Sequence, residues 1–166
     1  MASKDNLEEA FSGESQANRR YLAFAQQAEE DGFPQIARLF RSAAEAETIH
    51  AIAHFRVSGG ISSTEENLKT AVAGEEYEFT QMYPAFLAEA REEGNKPAEF
   101  SFRNALAVEE VHFDLFSRAV KAVQEGHDIP EVPIYVCPVC GNTVEGEIPE
   151  VCPVCHVKGE KYREIL

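Results

Sequence analysis

Glutamate recurs in this chain at positions that a helical period reserves for apolar side chains. One inward-spaced series runs Leu7, Ala10, Glu14, Ala17, Tyr21, Phe24, and a second runs Ile36, Phe40, Ala43, Glu47, His50. A third runs Leu68, Val72, Glu75, Phe79, Met82, Phe86, with Glu78 bordering it, and a fourth runs Phe102, Ala105, Glu109, His112, Phe116, Val120. In each, a period of roughly 3.6 residues assigns a carboxylate to the core. An unpaired buried carboxylate carries a desolvation penalty of several kcal/mol. Several together exceed the roughly 5–15 kcal/mol by which a domain is stable. No lysine or arginine lies on these stripes near the glutamates. A pair of metal cations would neutralise them. Solvated surface glutamates are ordinary in an acidic chain, but a set confined to apolar stripes does not fit that description.

Two stripes add a histidine three residues after the glutamate, in Glu47-Thr48-Ile49-His50 and Glu109-Glu110-Val111-His112. That spacing puts both side chains on one helical face, a turn apart. The halves of the region resemble each other. At an offset of 62, Tyr21 matches Tyr83, Phe24 matches Phe86, Gly32 matches Gly94, Phe40 matches Phe102, Glu47 matches Glu109 and His50 matches His112. Gly13-Glu14 answers Gly74-Glu75 after a one-residue slip. A duplicated helical hairpin predicts a four-helix bundle with a nearly two-fold site.

The helices are expected over residues 3–31 (capped by Ser3, stopped by Gly32-Phe33-Pro34), 35–57, about 63–93 and about 97–124. Ser63-Thr64-Glu65-Glu66 reads as a capping box, and Pro84 predicts a bend in the third helix. A linker follows over 125–134, held extended by Pro130 and Pro133. Beyond it, all four cysteines fall in Cys137-Pro138-Val139-Cys140 and Cys152-Pro153-Val154-Cys155. Paired Cys-x-x-Cys knuckles predict one tetrahedral four-thiolate metal site. Val136, Ile148, Tyr162 and Ile165 are the expected small core of this module, and metal must supply much of its stability.

The 166 residues carry a net charge of −14, which argues against nucleic-acid or anionic-membrane binding through bulk electrostatics. No apolar run approaches a membrane span, and Met1-Ala2-Ser3-Lys4-Asp5 does not read as a signal peptide. The expected location is the cytoplasm, where clustered cysteines serve metals in preference to disulfides. Among other residues, His54 reads as lying beside the site or on the surface, His127 as solvated, and Asp114 as either an orienting acceptor for His112 or a surface acid.

With these motifs in place the chain resembles the rubrerythrins over essentially its whole length. The resemblance implies an all-α four-helix bundle of the ferritin-like kind over 1–124, the linker 125–134, and a small metal-bound rubredoxin-like β/loop domain over 135–166. Glu-x-x-His on paired helices is the ligand pattern known for ferritin-like carboxylate proteins. The resemblance implies Glu47 and Glu109 as bridging ligands of two iron ions, with Glu14 on one and Glu75 and His112 on the other. Glu78 and His50 would alternate on the first iron as its oxidation state changes, and Tyr21 and Tyr83 would lie beside the site. Cys137, Cys140, Cys152 and Cys155 would hold a third iron, although ligand type alone does not separate iron from zinc there. His156 stands where the second knuckle of the family usually has glycine.

The implied activity is a non-haem di-iron peroxidase of oxidative-stress defence that reduces hydrogen peroxide to water. Its electrons would enter through the cysteine-bound iron from an NAD(P)H-dependent reductase or a rubredoxin-type donor. No Gly-x-Gly-x-x-Gly element is present, so the nucleotide is not expected to bind here. The alternatives are an iron-sequestering ferroxidase and a non-enzymatic zinc-ribbon interaction module on a helical scaffold. In the ferritin-like bundles that the chain resembles, the second and third helices run parallel, so their connection must travel back along the bundle, and this favours a homodimer. Glu47 and Glu75 are 28 residues apart; finishing one helix and beginning the next separates the helix ends by roughly 30 Å. The remaining seven or eight residues reach ~27 Å at most, so exchange of helical hairpins between two chains is expected.

Overall fold

The computed structural model describes residues 2–166; Met1, and with it the start of the N-terminal stretch read above, lies outside the described residues. The chain divides into two compact units, Met1–Ser62 and Ser63–Leu166. As expected, it is mostly helical with a small C-terminal sheet-and-loop domain.

The first unit is a hairpin of α1 (Ala2–Glu30) and α2 (Pro34–Val57). Ser3 lies inside α1 rather than capping it: the helical backbone already includes Ala2, so an Ncap conformation is not available to Ser3. Gly32, at φ +82°, supplies the left-handed residue that ends α1, and Pro34 opens α2, where its missing N–H costs nothing. The two helices meet through small side chains. Ala25 and Ala28 of α1 and Ala37, Ala44 and Ala51 of α2 are the buried positions, and the heptad spacing in α2 keeps its three on one seam. Asn18 bridges the pair, donating to the Ala44 carbonyl at 2.7 Å and to Thr48 Oγ1 at 2.8 Å.

The second unit begins with α3 (Thr64–Tyr77), opened by the expected capping box: Ser63 accepts from the Glu66 N–H while the Glu66 carboxylate accepts from that of Ser63. A π-helical turn, Glu78–Met82, follows, and then α4 (Tyr83–Glu92). The irregularity that Pro84 imposes is therefore met by a widened turn just before it. Proline clashes with the carbonyl four residues back and cannot bond it; the wider turn instead sends the Tyr83 N–H to the Glu78 carbonyl, five residues back.

This turn also explains the slip in the repeat. Glu14 and Tyr21 are seven residues apart, about 700° of rotation and hence nearly one face. Glu75 and Tyr83 are eight apart, which in a plain α-helix puts them about 80° out of phase. The π turn absorbs the extra residue and returns both to one face. The aromatic packing repeats with the sequence: Phe24 and Phe40 lie 5.6 Å apart beside Tyr21, and Phe86 and Phe102 lie 5.5 Å apart beside Tyr83.

Helix α5 (Lys96–Gln124) is capped by Asn95, whose side chain accepts from the Ala98 N–H at 3.2 Å, and carries Pro97 in its first turn. Past the linker, β1 (Ile134–Val136), β2 (Thr143–Glu145) and β3 (Arg163–Ile165) form an antiparallel sheet in the order β2-β1-β3. The register pairs Tyr135 with Val144 and Glu164, and Val136 with Thr143 and Arg163.

That register corrects the expected core of the module. Cys137, Cys152 and Tyr162 are buried together, with Tyr135, Val144, Val154 and Val157 packed around them. Tyr162 belongs to the core as expected. Val136 does not: side chains alternate across a strand, so Val136 faces opposite to Tyr135. Ile165, directly across the sheet from Ile134, is exposed, as is Ile148.

Candidate metal centres

Among the described residues three clusters of potential metal ligands form, and each lies within one unit. In the hairpin of α1 and α2, Glu14, Glu47 and His50 bring one donor atom each to within 4.8 Å of one another. His50 Nδ1 lies 3.1 Å from Glu47 Oε2, so the two side chains a helical turn apart converge. In the second unit Glu75 of α3 and Glu109 and His112 of α5 do the same. His112 Nδ1 is 2.9 Å from Glu109 Oε2 and 3.9 Å from Glu75 Oε2. These glutamates are half-buried, as carboxylates on apolar stripes must be.

The crowding is electrostatically costly without a cation. Burial, then the charge of Glu109, raises the Glu75 carboxyl from its ordinary 4.5 to about 7, with His112 opposing and Glu78 adding. Glu78, in the π turn, is raised for the same two leading reasons, burial and Glu109, with His112 again opposing. It sits in the field of the triad although it is not one of its three converging groups. Tyr83 is likewise raised by burial and then by Glu109, Glu78 and Glu75, which puts its hydroxyl beside the acids. Tyr21 packs on Phe40 at 6.1 Å in the corresponding place of the first hairpin.

The third cluster is formed by Cys137, Cys140, Cys152 and Cys155. The Sγ atoms of Cys137 and Cys155 are 3.6 Å apart, as are those of Cys140 and Cys152. All four are free thiols. The two knuckles repeat each other bond for bond. Cys137 N–H donates to the Asn142 carbonyl at 2.9 Å and Cys152 N–H to that of Val157 at 2.8 Å. Gly141 N–H donates to the Cys137 carbonyl at 2.9 Å, and His156 N–H to that of Cys152 at 3.0 Å. Gly141 has φ +88° and His156 φ +62°, so histidine adopts the left-handed conformation that glycine normally supplies and the turn is kept. Burial opposes the Cys152 thiolate, yet the amides of Cys155 and Val154 and the Tyr162 hydroxyl hold it at about 6. Asn142 fixes that hydroxyl by donating to it at 2.8 Å.

The donor sets fit metals of two kinds. Four convergent thiols suit a soft or borderline ion in a closed tetrahedral site. Carboxylate–histidine triads suit a harder divalent ion, whose charge would relieve the repulsion that raises Glu75.

One contact was not legible in the sequence. His112 Nε2 lies 3.1 Å from the hydroxyl of Thr143, on β2 of the cysteine module. Two residues further along the strand, Glu145 pairs with Arg118 of α5 at 2.7 Å. Asp114, one of the two readings for orienting His112, is exposed and makes no such bond among the described contacts. His127 bonds the Asp128 carbonyl and Glu125 in the exposed linker, where both contacts raise its pKa. His54 is half-buried on α2.

Helices bearing carboxylate–histidine triads, followed by a four-thiolate module, define a class of two-domain metalloproteins. The chain belongs to the rubrerythrin family: the Rubrerythrin domain matches residues 5–120, and the rubrerythrin rubredoxin-like domain matches residues 135–163. It is 40% identical to Rubrerythrin-2 of Clostridium acetobutylicum, across 96% of this chain and 94% of that protein. It is 37% identical to a rubrerythrin of Nitratidesulfovibrio vulgaris, across 90% and 87%. Among solved structures it resembles nigerythrin in a mixed-valence state, with TM-score 0.58 and 33% identity over 98% of this chain and 86% of that one. A fully reduced, all-ferrous nigerythrin matches with TM-score 0.59 at the same identity and coverage. No described helix is long and apolar enough to cross a membrane.

Proposed function

We propose that the protein is a non-haem di-iron peroxidase that reduces hydrogen peroxide to water in oxidative-stress defence. Membership of a family of di-iron stress-defence proteins, and the all-ferrous nigerythrin among its structural relatives, support iron as the metal. The observation that carries the reading is the cysteine module's contact with α5 at His112. Iron storage needs no dedicated electron inlet, whereas a peroxidase must be re-reduced after each turnover.

In this reading Glu14, Glu47 and His50 from one hairpin, and Glu75, Glu78, Glu109 and His112 from another, hold two iron ions. Glu47 and Glu109 would be the ligands common to both. When bound, the ions would supply the two electrons that, with two protons, convert one peroxide to two waters. Glu78 and His50 would alternate as ligands as the charge at the site changes. The π turn gives Glu78 its separate position on the helix, and His50 is exposed with no partner on Nε2 among the described residues. Tyr83, kept protonated by burial and then by the surrounding carboxylates, would be a hydrogen-bond donor at the site, and Tyr21 is its counterpart. Cys137, Cys140, Cys152 and Cys155 hold the iron that passes electrons one at a time from an NAD(P)H-dependent reductase or a rubredoxin-type donor.

The reading includes a homodimer with exchanged hairpins, which the short connection between α2 and α3 supports. It keeps the division into a bundle over 1–124, a linker over 125–134 and a module over 135–166. Four free thiols fit a reducing compartment, and we place the protein in the cytoplasm.

The test is an anaerobic titration. The protein is fully reduced, hydrogen peroxide is added in sub-stoichiometric steps, and the visible absorption of the cysteine-bound iron is followed. Rapid return of its colour, with two electrons removed per peroxide, supports the reading. A colourless centre, or peroxide reacting no faster than oxygen, refutes it.

A further inference from the structure

The duplication makes the two Glu-x-x-His pairs equivalent in sequence, but the fold treats their histidines differently. His50 and His112 both turn Nδ1 towards the glutamate a helical turn earlier, at 3.1 and 2.9 Å. Only His112 has a second bond among the described residues, from Nε2 to Thr143 Oγ1 at 3.1 Å. The Thr143 hydroxyl also donates to the Gly141 carbonyl at 3.2 Å. A hydroxyl has one hydrogen, and a carbonyl oxygen can only accept. With that hydrogen committed to Gly141, Thr143 Oγ1 faces His112 as an acceptor. Nε2 therefore carries a hydrogen, and Nδ1, turned to the carboxylates, is the nitrogen left to give up any proton it shares with Glu109 and offer its lone pair to a metal ion.

We propose that Thr143 is a positioning residue. It fixes the ring and tautomer of His112 so that Nδ1 is presented to the metal, and it joins that ligand to the cysteine knuckle. The connection is short in chemical terms: the Gly141 carbonyl next to Cys140 accepts from the Thr143 hydroxyl, which accepts from His112. Register explains why a residue of the module can do this. Thr143 and Glu145 lie on the same face of β2, and the pairing of Glu145 with Arg118 gives the strand a second point of attachment on α5. A Cβ added at Gly141 would lie 3.6 Å from a Val108 methyl, which measures how closely the knuckle approaches the helix. The Thr143–His112 bond borders a mostly apolar cavity of about 420 Å³, walled by Leu68, Leu115, Phe116 and Ile134.

The inference rests on the reading of these groups as metal ligands, and its test separates the two. Thr143→Val keeps the shape of the side chain and removes the hydroxyl; Thr143→Ser restores it. Both variants and the parent are loaded with zinc, which is diamagnetic. Affinity at the carboxylate sites is measured by calorimetry, and the His112 Nε2 hydrogen is followed by nitrogen-edited NMR. Thr143→Val should lose about ten- to a hundredfold in affinity for one of the two ions, the usual effect of removing a ligand's hydrogen-bond partner. Its Nε2 hydrogen should exchange with water fast, while Thr143→Ser keeps both properties of the parent. In the iron-loaded protein, peroxide should reoxidise the cysteine-bound iron at least tenfold more slowly in Thr143→Val. If Thr143→Val binds zinc as tightly as the parent and protects the same hydrogen, the positioning role is overturned. If the parent itself binds no zinc at these carboxylates, the metal-site reading fails instead.

Discussion

Removing one charge from the carboxylate cluster should make the metal-free protein more stable, increasingly so as pH rises from about 4.5 to about 7. Glu75 ionises near 4.5 in an unfolded chain and at about 7 in the fold. Between those values the folded state holds a proton that the unfolded state has lost, so stability falls as pH rises through the window. At about 1.36 kcal/mol per unit the full shift corresponds to roughly 3.4 kcal/mol. The Glu75 side chain retains 20% of its exposure, and solvent screening reduces the effect to about 1–2 kcal/mol. Glu75→Gln removes the charge at nearly constant shape. The assay is urea unfolding of the metal-stripped protein, followed by helical circular dichroism, for parent and variant at pH 5 and pH 8. At pH 8 the variant should be the more stable by about that amount. At pH 5, where folded Glu75 is neutral but the unfolded chain has already lost most of that proton, the difference should fall to about a quarter of this. Added ferrous iron or zinc should reverse the order at pH 8, because the parent gains a ligand that the variant lacks. Equal differences at both pH values, or a variant less stable at pH 8 without metal, would refute the electrostatic account.

Three further outcomes follow from the packing and the cysteine site. Cys152→Ser should abolish the visible absorption of the module's iron and collapse the NMR dispersion of residues 135–163, with the helical signal retained, because metal binding is folding energy for so small a core. Ala37→Leu, at a position with no exposure between α1 and α2, should cost about 1–3 kcal/mol in urea unfolding through overpacking. Asn95→Ala should cost about 1 kcal/mol by leaving the Ala98 N–H without its cap, and Asn95→Asp should recover most of it.

What could be read from the sequence was what periodicity and spacing encode. Glu47 and His50, or Cys137 and Cys140, lie within one turn of each other, so local geometry alone brings their side chains together. Helix ends at Gly32 and Ser63 were legible for the same reason, each carrying its own backbone chemistry. Thr143 and His112 are 31 residues apart, and no local rule relates them. Their meeting depends on how a three-residue strand is registered and laid against α5. The module's core was misread because Val136, Ile148 and Ile165 are apolar without being inward. In strands so short, one residue of register decides the face, and the metal rather than apolar area gathers the chain. The π turn left a trace in the one-residue slip of the repeat, but a slip in sequence does not say which turn of a helix will widen to hold it.

That widened turn has a consequence for how such a molecule changes over generations. An added residue in an ordinary helix rotates everything beyond it by about a quarter turn, which here would swing Tyr83, Phe86 and their neighbours off their partners. Confined to Glu78–Met82, the addition left the later half of the helix where its duplicate in α1 keeps it. The second hairpin thus carries a carboxylate, Glu78, that has no counterpart in the first copy, while its aromatic packing still repeats that of the first. The step should be reversible in the laboratory: deleting one residue between Thr80 and Met82, together with Pro84→Ala to remove the ring that a plain helix cannot hold, should return a continuous helix with the aromatic cluster of Tyr83, Phe86 and Phe102 intact. Such a chain would fold like its parent and carry a site closer to two-fold symmetry, an experimental approximation to the protein before the insertion.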